Sequence, residues 1–223
     1  MQLKLDLHVH TVYSGDSVIT LKKAVEAAEK AGLDGIAITD HDTVDALKEI
    51  PSHSSILILE GIEVSSLQGH ILGLGVSARI PQGLPASDTV DRIRRLGGVA
   101  VVAHPFNFLK RSLNGEAIRR LKPDAVEAIN ASSILPLTIR KAVQAARELG
   151  LPQVGGSDSH IPETIGKAYT LVEVEEASRE AVLQALKAGK TRAEGRKISP
   201  VDFLRKIGWQ MKIKGGCTFL PFR

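Results

Sequence analysis

Residues 3–11 read LKLDLHVHT. Apolar Leu3, Leu5, Leu7 and Val9 alternate with Lys4, Asp6, His8 and His10, the period of two that marks a β-strand. The alternation predicts one aliphatic face and an opposite face ending in two imidazoles. Positions i and i+2 on a strand stand about 6–7 Å apart, near enough for two rings to converge on one cation. Asp6, on the same expected face, is placed to receive the second ring N–H of a ligating histidine and so set its tautomer. A lone His-x-His is as often a pair of surface histidines at a strand end, so the rest of the chain has to decide.

The pattern repeats down the chain. Apolar segments at 35–39, 56–59 (leading into Glu60-Gly61-Ile62-Glu63-Val64), 99–103, 125–129 and 153–155 read as strands. A strand at 70–76 opens on His70, and 168–174 reads as a last one. Helical spacing occupies 20–31, 43–50, 87–96, 115–121, 137–149 and 178–188, with glycine or proline at most of the stops. Residues 202–214 have helical composition and meet a break at Gly215-Gly216. Strands alternating with helices predict βαβ units and a parallel sheet, about seven strands in all.

The residues at the strand ends choose between an open sheet and a barrel. His8 and His10, His41, Glu63, His104, and Asp158 with His160 each follow an apolar run directly. An open sheet gathers a site at one switch point, whereas in a barrel every C-terminal strand end opens into one mouth. Metal-ligand types after nearly every strand therefore predict a single-domain α/β barrel over 1–195, with 196–223 as a C-terminal helix and tail packed on it. Six of the seven histidines lie at strand ends, five after an apolar run and His70 at the start of one, His53 being the exception, and chance accounts for one or two. The donors outnumber the four that one zinc ion commonly takes, so two or three ions share the site with a carboxylate such as Glu63 or Asp158 as bridge. The short loop at 12–17, with Asp16, suggests an open mouth.

Composition sets the outer limits. With 43% hydrophobic and 24% charged residues among 223, the chain can bury a sizeable core. One cysteine, Cys217, excludes an internal disulfide and fits a reducing cytosol. No apolar run is long enough to span a bilayer, so a cytoplasmic protein without membrane contact is expected. The net charge of +4 favours anionic substrates, but the dispersed charges lack the basic and aromatic pattern of a single-strand binder. Residues 73–78 have dinucleotide-fingerprint spacing without the following helix, and 189–191 lack the first glycine of a phosphate loop.

The segments DLHVHT (6–11) with Asp16, ITDHD (38–42), GIEVS (61–65), His70, AHP (103–105) and GSDSH (156–160) resemble the successive motifs of the polymerase and histidinol phosphatase (PHP) superfamily. The resemblance covers about residues 3–194. It implies a distorted (β/α)7 barrel whose mouth holds two or three zinc, manganese or iron ions and hydrolyses phosphate esters with a metal-activated hydroxide. Carried over motif by motif, His8, His10, Glu63 and Asp158 hold one ion. Asp16, His41 and His160 hold a second, and Glu63, His70 and His104 a third. Histidine stands in some members where this chain has Asp16.

A phosphomonoesterase for a small metabolite or nucleotide is the expectation. Lys110 and Arg111, and less directly Lys167 and Arg192, are the candidate phosphate ligands. Asp42 or His160 is the candidate proton donor, and Glu127 and Asn130 line the mouth. An exonuclease or phosphodiesterase would use the same metals on a longer basic groove. A non-catalytic metal-binding interaction module would have lost several ligands, and no ligand position is lost here. An amidohydrolase would want a strand-end lysine for a carbamate, which the chain lacks.

Overall fold

The structure, a computed structural model, describes residues 1–108, 110–133 and 135–214. Cys217 and the Gly215-Gly216 break therefore lie outside the described residues. Among the described residues, ten strands form two five-stranded sheets. The first holds β1 (Gln2–Val9), β2 (Gly35–Ile38), β3 (Leu57–Leu59), β9 (Ala168–Glu173) and β10 (Thr191–Gly195), in the order β10-β9-β1-β2-β3. The second runs β4 (Gly61–Ser65), β5 (His70–Leu74), β6 (Val99–Val102), β7 (Ala125–Asn130) and β8 (Gln153–Gly156), in chain order. Helices α1 (Leu21–Lys30), α2 (Ala86–Arg95), α3 (Gly115–Leu121), α4 (Pro136–Glu148) and α5 (Arg179–Lys187) join the strands, and α6 (Pro200–Lys214) ends the described chain. Among the described residues no helix is long and apolar enough to cross a membrane.

The expected closed barrel is not formed. β9 lies antiparallel along the N-terminal half of β1, pairing residues 2–5, and so takes the edge that a closing β8 would need. Past Leu5, β1 turns to the other sheet instead: Val9 bridges Ser159, and the main chain of His8 accepts from the Asp158 amide at 2.8 Å. The other seam is a single bridge, His41 to Glu63. The sheets thus meet at the site without a continuous ladder. The strand β10 escaped the sequence reading because TRAEG has no apolar alternation. The segment expected as helix at 43–50 is a 3-10 turn, Asp45–Glu49.

Local chemistry explains the helices. Thr20, Asn114 and Ser178 cap α1, α3 and α5, each side chain accepting a main-chain N–H of the first turn. Leu21, Ala24 and Ala28 bury one face of α1, and Ala86, Val90 and Ile93 one face of α2.

Strand β1 does not keep the simple alternation. Its register to β2 shifts between Asp6 and Val9. Leu3, Leu5 and Leu7 pack with Leu72, Val101 and Val154 between the sheets, while Val9 packs with Ile19, Ile36 and Ile38 under α1. A bulge adds one residue and moves the side chains beyond it to the opposite face. The leucines and the two histidines consequently serve the same interior, and Asp6 is left on the other side.

Candidate metal centre

The ends of β1, β2, β6 and β8, with β4, the start of β5 and the loop after β1, deliver their groups to one point. Glu63, fully buried in β4, stands at the centre. Its Oε2 lies 3.2 Å from His8 Nε2, 3.2 Å from His10 Nε2 and 3.1 Å from His41 Nδ1. Its Oε1 lies 2.9 Å from His70 Nδ1 and 3.0 Å from His104 Nε2. His70 begins its strand, yet it reaches the same mouth because β5 runs antiparallel to β4, with Ser65 opposite His70. Asp158 Oδ1 approaches His10 Nε2 at 3.5 Å and His8 Nε2 at 3.9 Å. Asp16 Oδ2 is 2.9 Å from His160 Nε2 and 4.0 Å from His41 Nε2. The nine expected ligands are therefore brought together.

The backbone is bent to do this. Asp42, His104 and Asp158 all have positive φ, at 54°, 29° and 55°. Left-handed conformations at non-glycine residues gather at functional sites, where surrounding contacts hold them.

Two features fit a cation. The ring nitrogens of His8 and His10 come within 3.1 Å of each other. His41 Nδ1 is close to Glu63 but not aligned for a hydrogen bond, and Asp16 Oδ1 and Asp158 Oδ1 are buried with no hydrogen-bond partner. Converging lone pairs without protons between them are the donor set of a metal. Three overlapping groups have ligand atoms within 4.8 Å of one another: His8-His10-Glu63, His10-His41-His160 and His41-Glu63-His70.

The outer contacts set the tautomers. His8 Nδ1 lies 2.9 Å from Glu127 Oε1, and His10 Nδ1 lies 3.0 Å from Ser14 Oγ. With Nδ1–H donated outward, both Nε2 lone pairs face inward. His160 donates Nδ1–H to the Asp158 carbonyl at 3.0 Å, with the same result. Asn130 donates to Glu127 Oε2 at 3.0 Å and to Asp158 Oδ2 at 3.3 Å.

Electrostatics divide the imidazoles into two groups. Burial pushes His41 down to about 4, His160 down to about 3, and lowers His104, which keeps these rings neutral as ligands must be. Burial opposes charge on His8 and His10 too, but Glu127 and Glu63 at His8, and Asp158 and Glu63 at His10, outweigh it and raise both. Burial would raise the carboxyls of Glu63 and Asp158. The imidazoles of His41 and His8 around Glu63, and the ammonium groups of Lys110 and Lys206 beside Asp158, hold them well below the usual range instead. The centre is a buried cluster in which carboxylates, imidazoles and two lysine ammonium groups lie side by side.

Four expected roles change. Asp6 receives no imidazole: its carboxylate accepts the main-chain N–H groups of His8, Ser157 and Gly166 at 3.3, 2.8 and 2.9 Å, because the bulge turns it away. Glu127 takes the place expected of it. Asp42 Oδ1 accepts the Ser65 N–H at 2.7 Å and so braces the turn after β2, away from the cavity lining. Arg192 sits opposite Leu171, which sits opposite Lys4, level with the start of β1 and not its end. Its guanidinium pairs with Glu194 at 2.8 Å. Lys167 precedes β9, outside the cavity-lining residues, its carbonyl accepting from the Arg196 amide. Lys110 and Arg111 do reach the site. Both line a cavity of about 420 Å³ over the cluster, and Lys110 Nζ pairs with Asp158 Oδ2.

The sequence reading missed the roof. Phe203, Lys206, Ile207 and Gln210 of α6 line the same cavity, so the mouth is covered where an open one was expected. A lysine set between Phe203 and Ile207 on one helix face was the available signal. It missed Ser14 as well, whose hydroxyl also accepts the His41 N–H at 3.1 Å; nothing but its spacing of four from His10 pointed there.

Comparison with known proteins places this geometry. A family model described as the PHP domain matches residues 6–105, and one described as PHP-associated matches 136–191. An uncharacterised protein of Methanocaldococcus jannaschii is 34% identical over 142 residues, covering 58% of this chain and 82% of that protein. A probable phosphatase of Shewanella piezotolerans is 28% identical over 214 residues, covering 79% and 86%. Among solved structures, a two-domain protein of Bacteroides vulgatus containing a predicted PHP-like metal-dependent phosphoesterase superposes with a TM-score of 0.70 at 22% identity, covering 94% of this chain and 70% of that one. Endonuclease Q, in complex with an abasic duplex, superposes with a TM-score of 0.68 at 18% identity, covering 88% and 60%. The chain belongs to the PHP family and is a metal-dependent phosphoesterase.

Proposed function

We propose that the protein hydrolyses monoesters of small phosphorylated metabolites or nucleotides. The observation that carries the reading is the convergence of six imidazoles and three carboxylates beneath a roofed cavity. At about 420 Å³ it has the capacity of a small-molecule site. His8, His10, Glu63 and Asp158 would hold one divalent ion, Asp16, His41 and His160 a second, and Glu63, His70 and His104 a third, with zinc, manganese and iron all suited to nitrogen and oxygen donors. Such ions, when bound, lower the pKa of water and neutralise charge developing on phosphoryl oxygens.

The protein's own groups supply the rest. Glu63, with both oxygens engaged by imidazoles, fixes the spacing of the ligand groups. Glu127 and Ser14 hold His8 and His10 with the correct nitrogen inward. Lys110 and Arg111, at the cavity wall, meet the phosphoryl oxygens through charge-assisted hydrogen bonds. Both ring nitrogens of His160 are engaged, which suits it to holding a cation more than to moving a proton.

The test is hydrolysis of a chromogenic phosphomonoester against the matching phosphodiester, with added manganese and with chelator. Chelator-sensitive turnover of the monoester alone is expected. Preferred turnover of the diester would replace this reading with that of a nuclease or cyclic-nucleotide phosphodiesterase.

A further inference from the structure

The two family models end by residue 191, and α6 lies beyond both. It nonetheless closes the site. Phe203, Lys206, Ile207 and Gln210 recur at i, i+3, i+4 and i+7, a single helix face, and all four line the cavity. Packing alone would fill such a face with apolar side chains. Lys206 is instead only 7% exposed, and an ammonium at that depth is costly unless well paired.

Its pairing is loose. Nζ donates to Ser132 Oγ at 3.2 Å and to the Asp158 carbonyl at 3.4 Å, and stands 4.0 Å from Asp158 Oδ1. The other oxygen of that carboxylate is taken by Lys110. An ammonium has three donors, so capacity remains for an anion in the cavity it lines. One turn on, Gln210 donates to Asp16 Oδ2 at 3.2 Å, which ties the helix to a ligand carboxylate and holds the roof down.

We propose that α6 is the specificity element of this site: Lys206 binds the non-bridging oxygens of a terminal phosphoryl group, and Phe203 and Ile207 limit the substrate to small esters. The proposal rests on the phosphoesterase reading above and adds the class of ester. A phosphate monoester presents three terminal oxygens and nearly two negative charges, a diester two oxygens and one charge. Lys206 adds a third cationic side chain to Lys110 and Arg111, which matches the monoester. A polymer chain continuing past the phosphate would meet the aromatic and aliphatic side chains of the roof.

The experiment is calorimetric titration of the manganese-loaded full-length protein with inorganic phosphate, comparing wild type, Lys206→Met and Lys206→Arg. Lys206→Met is expected to weaken phosphate at least tenfold at unchanged manganese content, with Lys206→Arg recovering most of the affinity. Its KM for a chromogenic monoester should rise in step while kcat stays within a few-fold. Phosphate affinity within twofold of wild type, or a loss that simply follows lost manganese, would overturn the role of Lys206. For the roof, Phe203→Ala with Ile207→Ala should raise kcat/KM on a 5′-phosphorylated oligonucleotide at least tenfold, and equal wild-type rates on oligonucleotide and mononucleotide would overturn it. A wild type that binds phosphate through Lys206 but turns over no ester would sustain the anion site and defeat the phosphoesterase reading instead.

Discussion

Glu63 is surrounded by five imidazoles, and most of what happens at the centre passes through their orientation. That orientation is set one layer out. Glu127 holds His8 Nδ1 at 2.9 Å, the His104 amide at 2.6 Å and the Asn130 amide at 3.0 Å, so one carboxylate positions two of the proposed ligands. Removing an outer partner of a ligating histidine typically costs about 10–100-fold in metal affinity. Glu127→Ala is therefore expected to weaken manganese or zinc binding by about that range, read by competition with a chromophoric chelator. Affinity equal to wild type would mean that His8 keeps its tautomer without Glu127. At this scale the sequence was informative about donors and poor about their partners. The histidines announce themselves by following apolar runs. That Asp6 serves backbone amides while Glu127 serves His8 depends on one bulged residue in β1, and the alternation of LKLDLHVH conceals it.

Strand β8 shows how tightly the elements are set against one another. A Cβ on Gly156 would collide with the Cβ of His8 and stand 2.8 Å from Glu127 Oε1. Gly156→Ala is accordingly expected to destabilise the fold by about 1–3 kcal/mol, the usual cost of overpacking, and to lower metal affinity because it strikes the His8-Glu127 pair. Urea denaturation and metal titration of the same variant check both effects. A stable variant with weak metal binding would mean that the strands yield and only the pair is displaced. The helices were legible because caps and apolar stripes are local signals, as at Thr20 and Leu21-Ala24-Ala28. Strand β10 was not, since its place is decided by pairing with β9. Helix α6 was legible as a helix but not as a roof, because no local pattern says which element a helix will cover.

Over the whole molecule, two sheets joined at single bridges gather side chains from both sheets and the loops between them into one buried centre. The parallel pairs β1-β2-β3 and β6-β7-β8 follow the alternation of elements, but β4-β5-β6 and β1-β9-β10 pair antiparallel, so the sheets are mixed and not parallel as expected. The failure of closure could not be read from the alternation either, because it follows from β9 turning back antiparallel on β1. Metal should act as the clasp across this arrangement. At a hundredfold excess over Kd, a ligand bound only by the native state stabilises by about 2.7 kcal/mol, which for a chain of this size is about 5–10 °C in Tm. Chelator treatment is expected to lower Tm by about that amount and readdition of manganese to restore it, as scanning calorimetry would show. An unchanged Tm would mean that the two sheets hold together without the ions.

The measurement that bears most directly on the central claim is metal content and phosphomonoester turnover of His10→Ala combined with His41→Ala, side by side with wild type. His10 and His41 belong to different expected ion sites and meet at Glu63 Oε2, at 3.2 and 3.1 Å. The account requires the double variant to lose bound manganese and to fall at least about 100-fold in kcat, a loss comparable to removing a main electrostatic stabiliser. A double variant with full metal content and wild-type turnover would contradict it.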